Sequence, residues 1–202
     1  MRTVSKAGVT AITIAVVGLL FGGTCVSTYN KLVRLDQAAG AQWAQVENAY
    51  QRRADLVPNL VATVKGAAEF EKGTLTQVTE ARAKVAQVTI PKDLATDPQK
   101  FQQFQQAQDQ LGAALGRLIA VSEAYPNLTA TQNFRDLQAQ LEGTENRIAV
   151  ERMRYNEVAR EYNTARASFP TSIVASIFGG KFHDRQYFAA KAGSSEPPKV
   201  QF

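Results

Sequence analysis

Few side chains in this sequence could support catalysis or hold a metal. The chain has one histidine, His183, and one cysteine, Cys25. A nucleophile activated by a histidine base could rely only on His183, and no recognisable serine or cysteine elbow stands beside it. Metal sites built from histidine and cysteine need more of these residues than the chain contains. The sequence therefore indicates neither a catalytic triad nor a zinc site.

Two other patterns fall short of an enzyme motif. Gly179-Gly180-Lys181 lacks the preceding strand and the spacing of a phosphate-binding loop. Glu71 and Glu151 could both face the interior of a helical bundle, but the Glu-x-x-His motif that usually accompanies carboxylate metal sites in bundles is missing. We expect no cofactor, no metal and no enzymatic activity, with a hydrolase that uses paired carboxylates as the most distant alternative.

The charged residues are mixed rather than grouped by sign. The net charge is +5, but residues 134–168 carry six arginines and six acidic residues. This pattern is typical of a solvated helix with i,i+4 ion pairs rather than of a phosphate-binding stripe. We therefore do not expect nucleic acid as a partner.

Some charged residues occur at, or next to, the positions that should form the apolar faces of the predicted helices. Burying them unpaired would cost several kcal/mol each, so they should pair with one another or open onto water. We expect an interhelical network in which Arg53 or Arg82 meets an acidic side chain, with ordinary surface placement on a wider helix as the alternative. The candidate residues are Arg53, Asp55, Asn59, Glu71, Arg82, Glu145, Asn146 and Glu151.

These side chains must be positioned by a chain that begins with an apolar segment. Residues 7–30 contain no charged side chain, and as a helix they would be roughly 36 Å long, enough to cross a hydrocarbon core of about 30 Å. We predict a short N-terminal tail at 1–6 and a single-pass transmembrane helix at 7–28 in the cell (inner) membrane. A cleaved signal peptide and lipidation of Cys25 are alternatives, but the residues around Cys25 match either motif poorly.

The positive charges flanking this segment bear on its orientation. Arg2 and Lys6 precede it, and Lys31 and Arg34 follow it. With the N-terminal amine included, the positive-inside rule favours a cytoplasmic N-terminus and an extracytoplasmic domain, and the opposite topology stays open.

Apolar residues three and four apart predict four helices at about 29–54, 56–88, 98–124 and 134–168. Pro58, with Asp55 placed to cap, predicts a break between the first two, and a proline-kinked continuous helix is the alternative. Residues 89–97 are predicted to be a loop, and Asp97-Pro98 a helix start. The fold class is therefore all-α: a transmembrane helix followed by an antiparallel up-and-down four-helix bundle within residues 29–190.

An even number of antiparallel helices returns the chain to the end at which it began. The apolar segment 169–182 should therefore lie close to the bilayer, where it could enter the lipid interface, cover the end of the bundle or dock a partner. Its candidate contact residues are Phe169, Pro170, Ile173, Val174, Ile177 and Phe178. Residues 191–202 are rich in serine, proline and glycine, and we predict that they are disordered.

Several motifs resemble the bacterial LemA family over roughly residues 26–190. They are Tyr29-Asn30-x-Leu32-Val33, Arg52-Arg53-x-Asp55-Leu56-Val57-Pro58-Asn59-Leu60, Glu80-Ala81-Arg82, Leu141-Glu142-Gly143-Thr144-Glu145-Asn146, Arg154-Tyr155-Asn156 and Phe169-Pro170. The resemblance implies a single-pass anchor, an antiparallel helical bundle and no established enzymatic activity. Family descriptions also place the short N-terminus outside, and a magnetosome branch hints at a role in organising membranes.

Together these observations favour a membrane-anchored, non-enzymatic helical scaffold or adaptor of the bacterial cell envelope. Its expected partners are the lipid bilayer and either an envelope protein or further copies of itself. The alternative is a ligand-responsive sensor or accessory subunit of a membrane complex that uses buried polar residues between helices. A solvent-connected polar cavity near Arg53 and Arg82 would favour the sensor, and a dry, filled core would favour the scaffold.

Overall fold

Helices account for nearly all of the chain that can be described. The computed structural model describes residues 6–66, 71–87 and 94–189. The helices are α1 (Lys6–Lys65), α2 (Lys72–Gln87), α3 (Pro98–Ser122), α4 (Pro126–Thr129), α5 (Gln132–Ala167) and α6 (Thr171–Ile177), with a 3-10 turn at Leu94–Thr96. No β-strand occurs within these ranges. The prediction of an all-α fold is therefore confirmed.

Three predicted features lie wholly or partly outside the described residues. They are the disordered tail at 191–202, the first five residues of the N-terminal tail, and residues 89–93 of the predicted loop.

The apolar N-terminal segment forms the first part of α1. Among the described helices, only α1 is long and apolar enough to cross a bilayer, and no side chain in its most apolar window is buried by the protein. The hydroxyls of Thr13 and Thr24 donate to the carbonyl oxygens of Val9 and Leu20 at 2.9 and 2.8 Å. Polar groups satisfied within the helix and apolar side chains left uncovered are suited to a lipid environment.

α1 continues through Pro58 without a break, so the predicted start of a separate helix there is wrong and the continuous alternative is observed. Proline has no N–H to donate to the carbonyl four residues earlier. Here that carbonyl, on Ala54, accepts a hydrogen bond of 3.2 Å from Nε of Arg82 on α2. The chain leaves helical geometry only near Gly66, and the second helix of the bundle begins at Lys72 instead.

Internal contacts divide the described chain into two units. The bundle unit comprises residues 42–157 and 186–189 within the described ranges, and the anchor unit comprises residues 6–41 and 158–185. Each unit has its own apolar core.

The bundle unit contains the four-helix arrangement. The second part of α1, α2, α3 and the first part of α5 share one core, and their short connections make consecutive helices antiparallel. The core residues are Val57, Leu60, Val64, Leu75, Val78, Ala81, Leu111, Leu115, Leu118, Leu128, Phe134 and Leu141. The boundary between the first two helices has moved along the chain, but four long helices still form the core.

The anchor unit is built from fewer elements. Its core joins Leu32 of α1, Tyr162 of α5, Ala175 of α6 and Phe182, which follows α6. Tyr29 at the end of the apolar segment packs against this cluster. The segment after α5 thus contacts the first turns of α1 that follow the apolar stretch.

The sequence patterns predicted the start of α3 and the buried face of α5. Asp97 caps α3 by accepting hydrogen bonds from the N–H groups of Gln99 and Lys100 at 3.0 and 3.1 Å, which confirms the predicted helix start. The residues three and four apart that predicted the last long helix form a seam on α5, which is largely buried from Phe134 to Tyr162. Phe169, which lies two residues beyond the end of α5 at Ala167, is exposed.

Candidate functional site

A solvent-open groove lies between α3 and α5 in the bundle unit, and we call it the α3–α5 groove. Its volume is about 420 Å³. The lining residues are Gly112, Leu115, Gly116, Ile119, Gln138, Leu141, Glu142, Glu145 and Asn146. Gly112 and Gly116 lie one turn apart on α3, and a Cβ added to Gly116 would meet no atom within 4 Å. The groove therefore combines apolar side chains, polar side chains and a strip of uncovered backbone.

The side chain of Arg53 lies directly beneath this groove. Its Nη1 donates to Oε1 of Glu145 at 2.8 Å, and a Cβ on Gly112 would come within 3.4 Å of the same nitrogen. Its Nη2 donates to the backbone oxygen of Gln108 at 2.9 Å and also to the Gln108 side-chain oxygen. Arg53 and Gln108 are buried, whereas the Glu145 side chain is 40% exposed. The ion pair thus connects the interior of the bundle with solvent.

Two polar atoms beside this pair lack partners. The Tyr50 hydroxyl and Arg53 Nε are buried and make no hydrogen bond among the described residues. The guanidinium carbon of Arg53 lies 5.1 Å from the centroid of the Tyr50 ring. Burial raises the pKa of Tyr50, and the charges of Arg152 and Arg53 oppose that shift. The site therefore has hydrogen-bonding capacity that the described protein leaves unused.

The structure brings some of the predicted network residues together and separates others. Arg53 and Glu145 form an ion pair. Glu151 is buried, but it accepts hydrogen bonds from Gln42 at 2.6 Å and from Arg154 at 3.3 Å rather than from Arg53.

The remaining five candidates lie on the surface. They are Asp55, Asn59, Glu71, Arg82 and Asn146. Among the described residues, Arg82 donates to the backbone of Ala54, and Glu71 accepts a hydrogen bond from Thr74 at the start of α2 at 3.3 Å. Arg53 and Glu145 thus form an interhelical pair of the kind expected, whereas these five residues have the surface placement that was the alternative. The sequence analysis did not identify Gln108 as a partner of Arg53. Gln108 stands at one of the positions, three and four residues apart, that apolar residues otherwise fill on α3.

An aromatic cluster around Phe188 forms a second feature of the bundle unit. The Phe188 ring lies within 6 Å, between centroids, of the rings of Trp43, Phe101 and Tyr155. The guanidinium carbon of Arg152 lies 4.6 Å from the Phe188 ring centroid. Sequence reasoning missed Phe188 because it follows the last helix, where no helical period marks a core position.

Asn156 of α5 holds the backbone at Phe188. Its Nδ2 donates to the Phe188 carbonyl and its Oδ1 accepts from the Phe188 N–H, both at 2.9 Å. In the anchor unit Asn163 makes the same pair of bonds with Arg185, also at 2.9 Å. The seven-residue spacing of these asparagines is the sequence signal that could have revealed them.

The anchor unit has its own partly buried ion pair. Arg185 donates to Asp36 at 2.8 Å, and its guanidinium carbon lies 5.8 Å from the centroid of the Tyr162 ring. Burial, with the nearby Asp36 carboxylate, raises the pKa of Tyr162 to about 12. Arg166 donates to the Phe182 carbonyl at 2.9 Å and pairs with Asp184 at 2.6 Å. These bonds fix the segment that follows α6.

The candidate membrane-proximal residues fall into two groups. Val174 is buried in the anchor unit and Pro170 is half-buried. Phe169, Ile173, Ile177 and Phe178 are exposed, and we call these four residues the α6 patch.

The residues considered for chemistry lie apart from the α3–α5 groove. His183 is exposed, and Gly179-Gly180-Lys181 follows α6 rather than a strand. Within the described ranges, no group of three or more histidine, cysteine, aspartate or glutamate side chains could hold a metal ion. What the site offers is a groove with a paired cation beneath it.

Comparisons with known proteins place the chain in a family. A LemA family model matches residues 42–202. The chain is 28% identical over 204 residues to magnetosome protein MamQ of Magnetospirillum gryphiswaldense, covering 92% of this chain and 74% of that protein. It is 25% identical over 193 residues to magnetosome protein MamQ 2 of Paramagnetospirillum magneticum, covering 88% and 70%. It is 24% identical over 150 residues to protein LemA of Metamycoplasma hominis, covering 74% and 64%. Since the family model covers most of the chain, this protein belongs to the LemA family.

Proposed function

We propose that this protein is a membrane-anchored, non-enzymatic scaffold or adaptor of the bacterial cell envelope. In this proposal α1 anchors the chain, and the α3–α5 groove receives a helix from another envelope protein or from a second copy. The observation that carries the proposal is the groove itself, which is open to solvent and has leucine and isoleucine side chains between polar edges. Helix-in-groove recognition uses such apolar surfaces with polar rims.

The lining of the groove indicates what kind of helix would fit. Gly112 and Gly116 have no side chains, so a partner helix could approach the α3 backbone closely, as helices do at paired small residues. Glu142 and Glu145 both line the groove, while Arg53 neutralises only Glu145 among the contacts described. The excess carboxylate favours a partner helix that carries lysine or arginine at its edge.

The orientation completes the proposal. Positive charges at Arg2 and Lys6, with the N-terminal amine, support a cytoplasmic N-terminus and an extracytoplasmic domain in the inner membrane. Partners would then be proteins of the extracytoplasmic side.

Site-specific photo-crosslinking in intact cells tests the groove. A photoreactive residue at Gln138 of the full chain should give one defined adduct, which mass spectrometry identifies as a second copy or as a particular envelope protein. The control position is Met153, which is 64% exposed and lies on α5 outside the groove lining; it should not give that adduct. Recovery of only uncrosslinked monomer from the Gln138 position would contradict the proposal.

A second variant tests whether the empty space matters. Gly116→Leu fills the groove without entering a described contact and should abolish the Gln138 adduct while the protein still folds. Gly143→Leu is the matched control, because Gly143 is also an exposed mid-helix glycine with no atom within 4 Å of its added Cβ. An adduct that survives Gly116→Leu would count against the groove as the docking surface.

The buried polar atoms favour one other function, a ligand-responsive sensor or accessory subunit. A solvent-connected groove meets Arg53 through Glu145, and the hydroxyl of Tyr50 and Nε of Arg53 have no described partner. A small polar ligand could use this capacity. Native mass spectrometry of the full chain released from membranes distinguishes the two functions, since the sensor should retain a small-molecule mass that Gly116→Leu loses, whereas the scaffold should retain none.

A further inference from the structure

We propose that the α6 patch lies in the lipid interface beside the membrane-crossing part of α1, so that a second, non-spanning contact holds the anchor unit against the bilayer. The inference depends on membrane anchoring by α1 but not on the α3–α5 groove. It assigns a role to four exposed apolar residues that neither core uses.

The chain around α6 has the composition of a lipid-contacting element. Residues 167–180 contain no charged side chain. Thr171, Val174 and Ala175 are buried and fix α6 to the anchor unit. That unit leaves the residues of the patch largely or partly uncovered, with exposed fractions of 81% for Phe169, 45% for Ile173, 68% for Ile177 and 48% for Phe178. One face of α6 therefore holds the protein while large apolar groups are presented outward.

The contacts of Tyr29 place this patch at the end of the apolar segment. The Tyr29 ring lies 4.9 Å from the Phe178 ring and 5.6 Å from the Phe182 ring, between centroids. Tyr29 is the second-last residue of the charge-free stretch 7–30. A helix of about 20 residues crosses the hydrocarbon core, so a residue at this position reaches the headgroup level. The α6 patch is thus beside the level at which α1 leaves the lipid.

The polar neighbours of the patch are those found at membrane surfaces. Nζ of Lys181 donates to the Tyr29 hydroxyl at 2.6 Å and lies 4.9 Å from the Tyr29 ring centroid. Tyrosine is enriched at the headgroup level, where a lysine can keep its stem on apolar surface and its amine in water. Lys31 and Arg34 are exposed on the next turn of α1, and their charges suit anionic headgroups.

The size of the patch favours lipid over a protein partner. Taking about 200 Å² for each large apolar residue, the four exposed fractions correspond to roughly 480 Å². A stable protein interface needs about 800 Å² from each partner. Lipid sets no such minimum, because the bilayer already borders the anchor helix.

Nitroxide labels in the full chain test this placement. Cys25→Ser removes the only cysteine, after which Ile177→Cys or Ile173→Cys carries the label in vesicles of phosphatidylcholine and phosphatidylglycerol. Leu20→Cys on the apolar segment is the lipid reference, and Met153→Cys is the exposed reference on α5. Collision rates with oxygen, which concentrates in lipid, and with a water-soluble nickel chelate are compared at each site.

At positions 173 and 177 we expect oxygen collisions to exceed nickel collisions, as at position 20, with the reverse order at position 153. Nickel-dominated collisions at 173 and 177, with a lipid pattern at 20, would overturn the α6 inference and leave the anchor intact. Low collision rates with both reagents would mean that protein covers the patch, which also overturns it. A water-like pattern at position 20 would instead refute the membrane anchoring on which both proposals depend.

Discussion

Replacing Phe188 with alanine should destabilise the bundle unit by about 3–5 kcal/mol, the range for emptying a buried aromatic site. Phe188 is only 5% exposed and contacts four other aromatic rings. Burying such a side chain stabilises a fold by about 1.5–3 kcal/mol, and the cavity left in its place adds to the loss. The lost contact with the Arg152 guanidinium contributes about 0.5–1 kcal/mol more.

The chain provides both a probe and a control for this experiment. Trp43 is the only tryptophan, and its ring stacks against Phe188 with an interplanar angle of 15°, so its fluorescence reports on this cluster. Denaturant unfolding of the full chain in detergent, followed at Trp43, gives the free energy of unfolding. Tyr187→Ala is the matched control, because Tyr187 is the preceding residue and is 45% exposed, and it should lower stability by clearly less than Phe188→Ala does. Equal losses in the two variants would refute the assignment of Phe188 to the core.

Two further outcomes concern the buried charges and hydroxyls. Glu145→Gln should lower the free energy of unfolding by about 1–2 kcal/mol, because Arg53 loses its carboxylate partner while water still reaches the site. Glu142 does not contact Arg53, so Glu142→Gln should change the free energy of unfolding by less than about 0.5 kcal/mol in the same denaturant titration. The pKa of Tyr162 is raised to about 12 in the folded state, above the ordinary value of about 10. The stability that this group contributes is therefore complete below about pH 10 and falls by up to about 2–3 kcal/mol as the pH rises to about 12. Tyr162→Phe should remove that part of the alkaline loss, and an unchanged pH slope would show that the shift is absent.

Sequence patterns identified the helices because helical period is a local property. The seam of α5 and the cap at Asp97 depend on neighbouring residues only, and both were predictable. The break expected at Pro58 rested on the rule that proline disfavours a helix interior, and a residue distant in sequence offsets that effect here. The Ala54 carbonyl, which proline cannot satisfy, is bonded by Arg82 from another helix, and no local pattern contains that contact.

The candidate site was predictable to a smaller extent for a related reason. The position of Arg53 on an apolar helix face correctly indicated that it needs polar partners, and Glu145 was one of the acidic residues named as candidates. Which acidic residue Arg53 meets depends on how the facing helices are rotated about their axes. A shift of one residue along a helix turns a side chain by about 100° around the axis. Gln108 could have been recognised, since it interrupts the apolar series from Phe104 to Leu111 at the same spacing.

In the segment after α6, the hydrogen bonds of the backbone explain which side chains are buried and which face solvent. An extended chain beside a helix has N–H and carbonyl groups that need partners. Asn163 supplies two bonds to Arg185 in the anchor unit, and Asn156 supplies two to Phe188 in the bundle unit. With the backbone held in this way, Phe182 and Phe188 turn into the cores of their units while His183 faces solvent. His183 lies on the solvent side of this segment, and its neighbour Asp184 pairs with Arg166, so the bonds that hold the backbone also account for where the histidine lies.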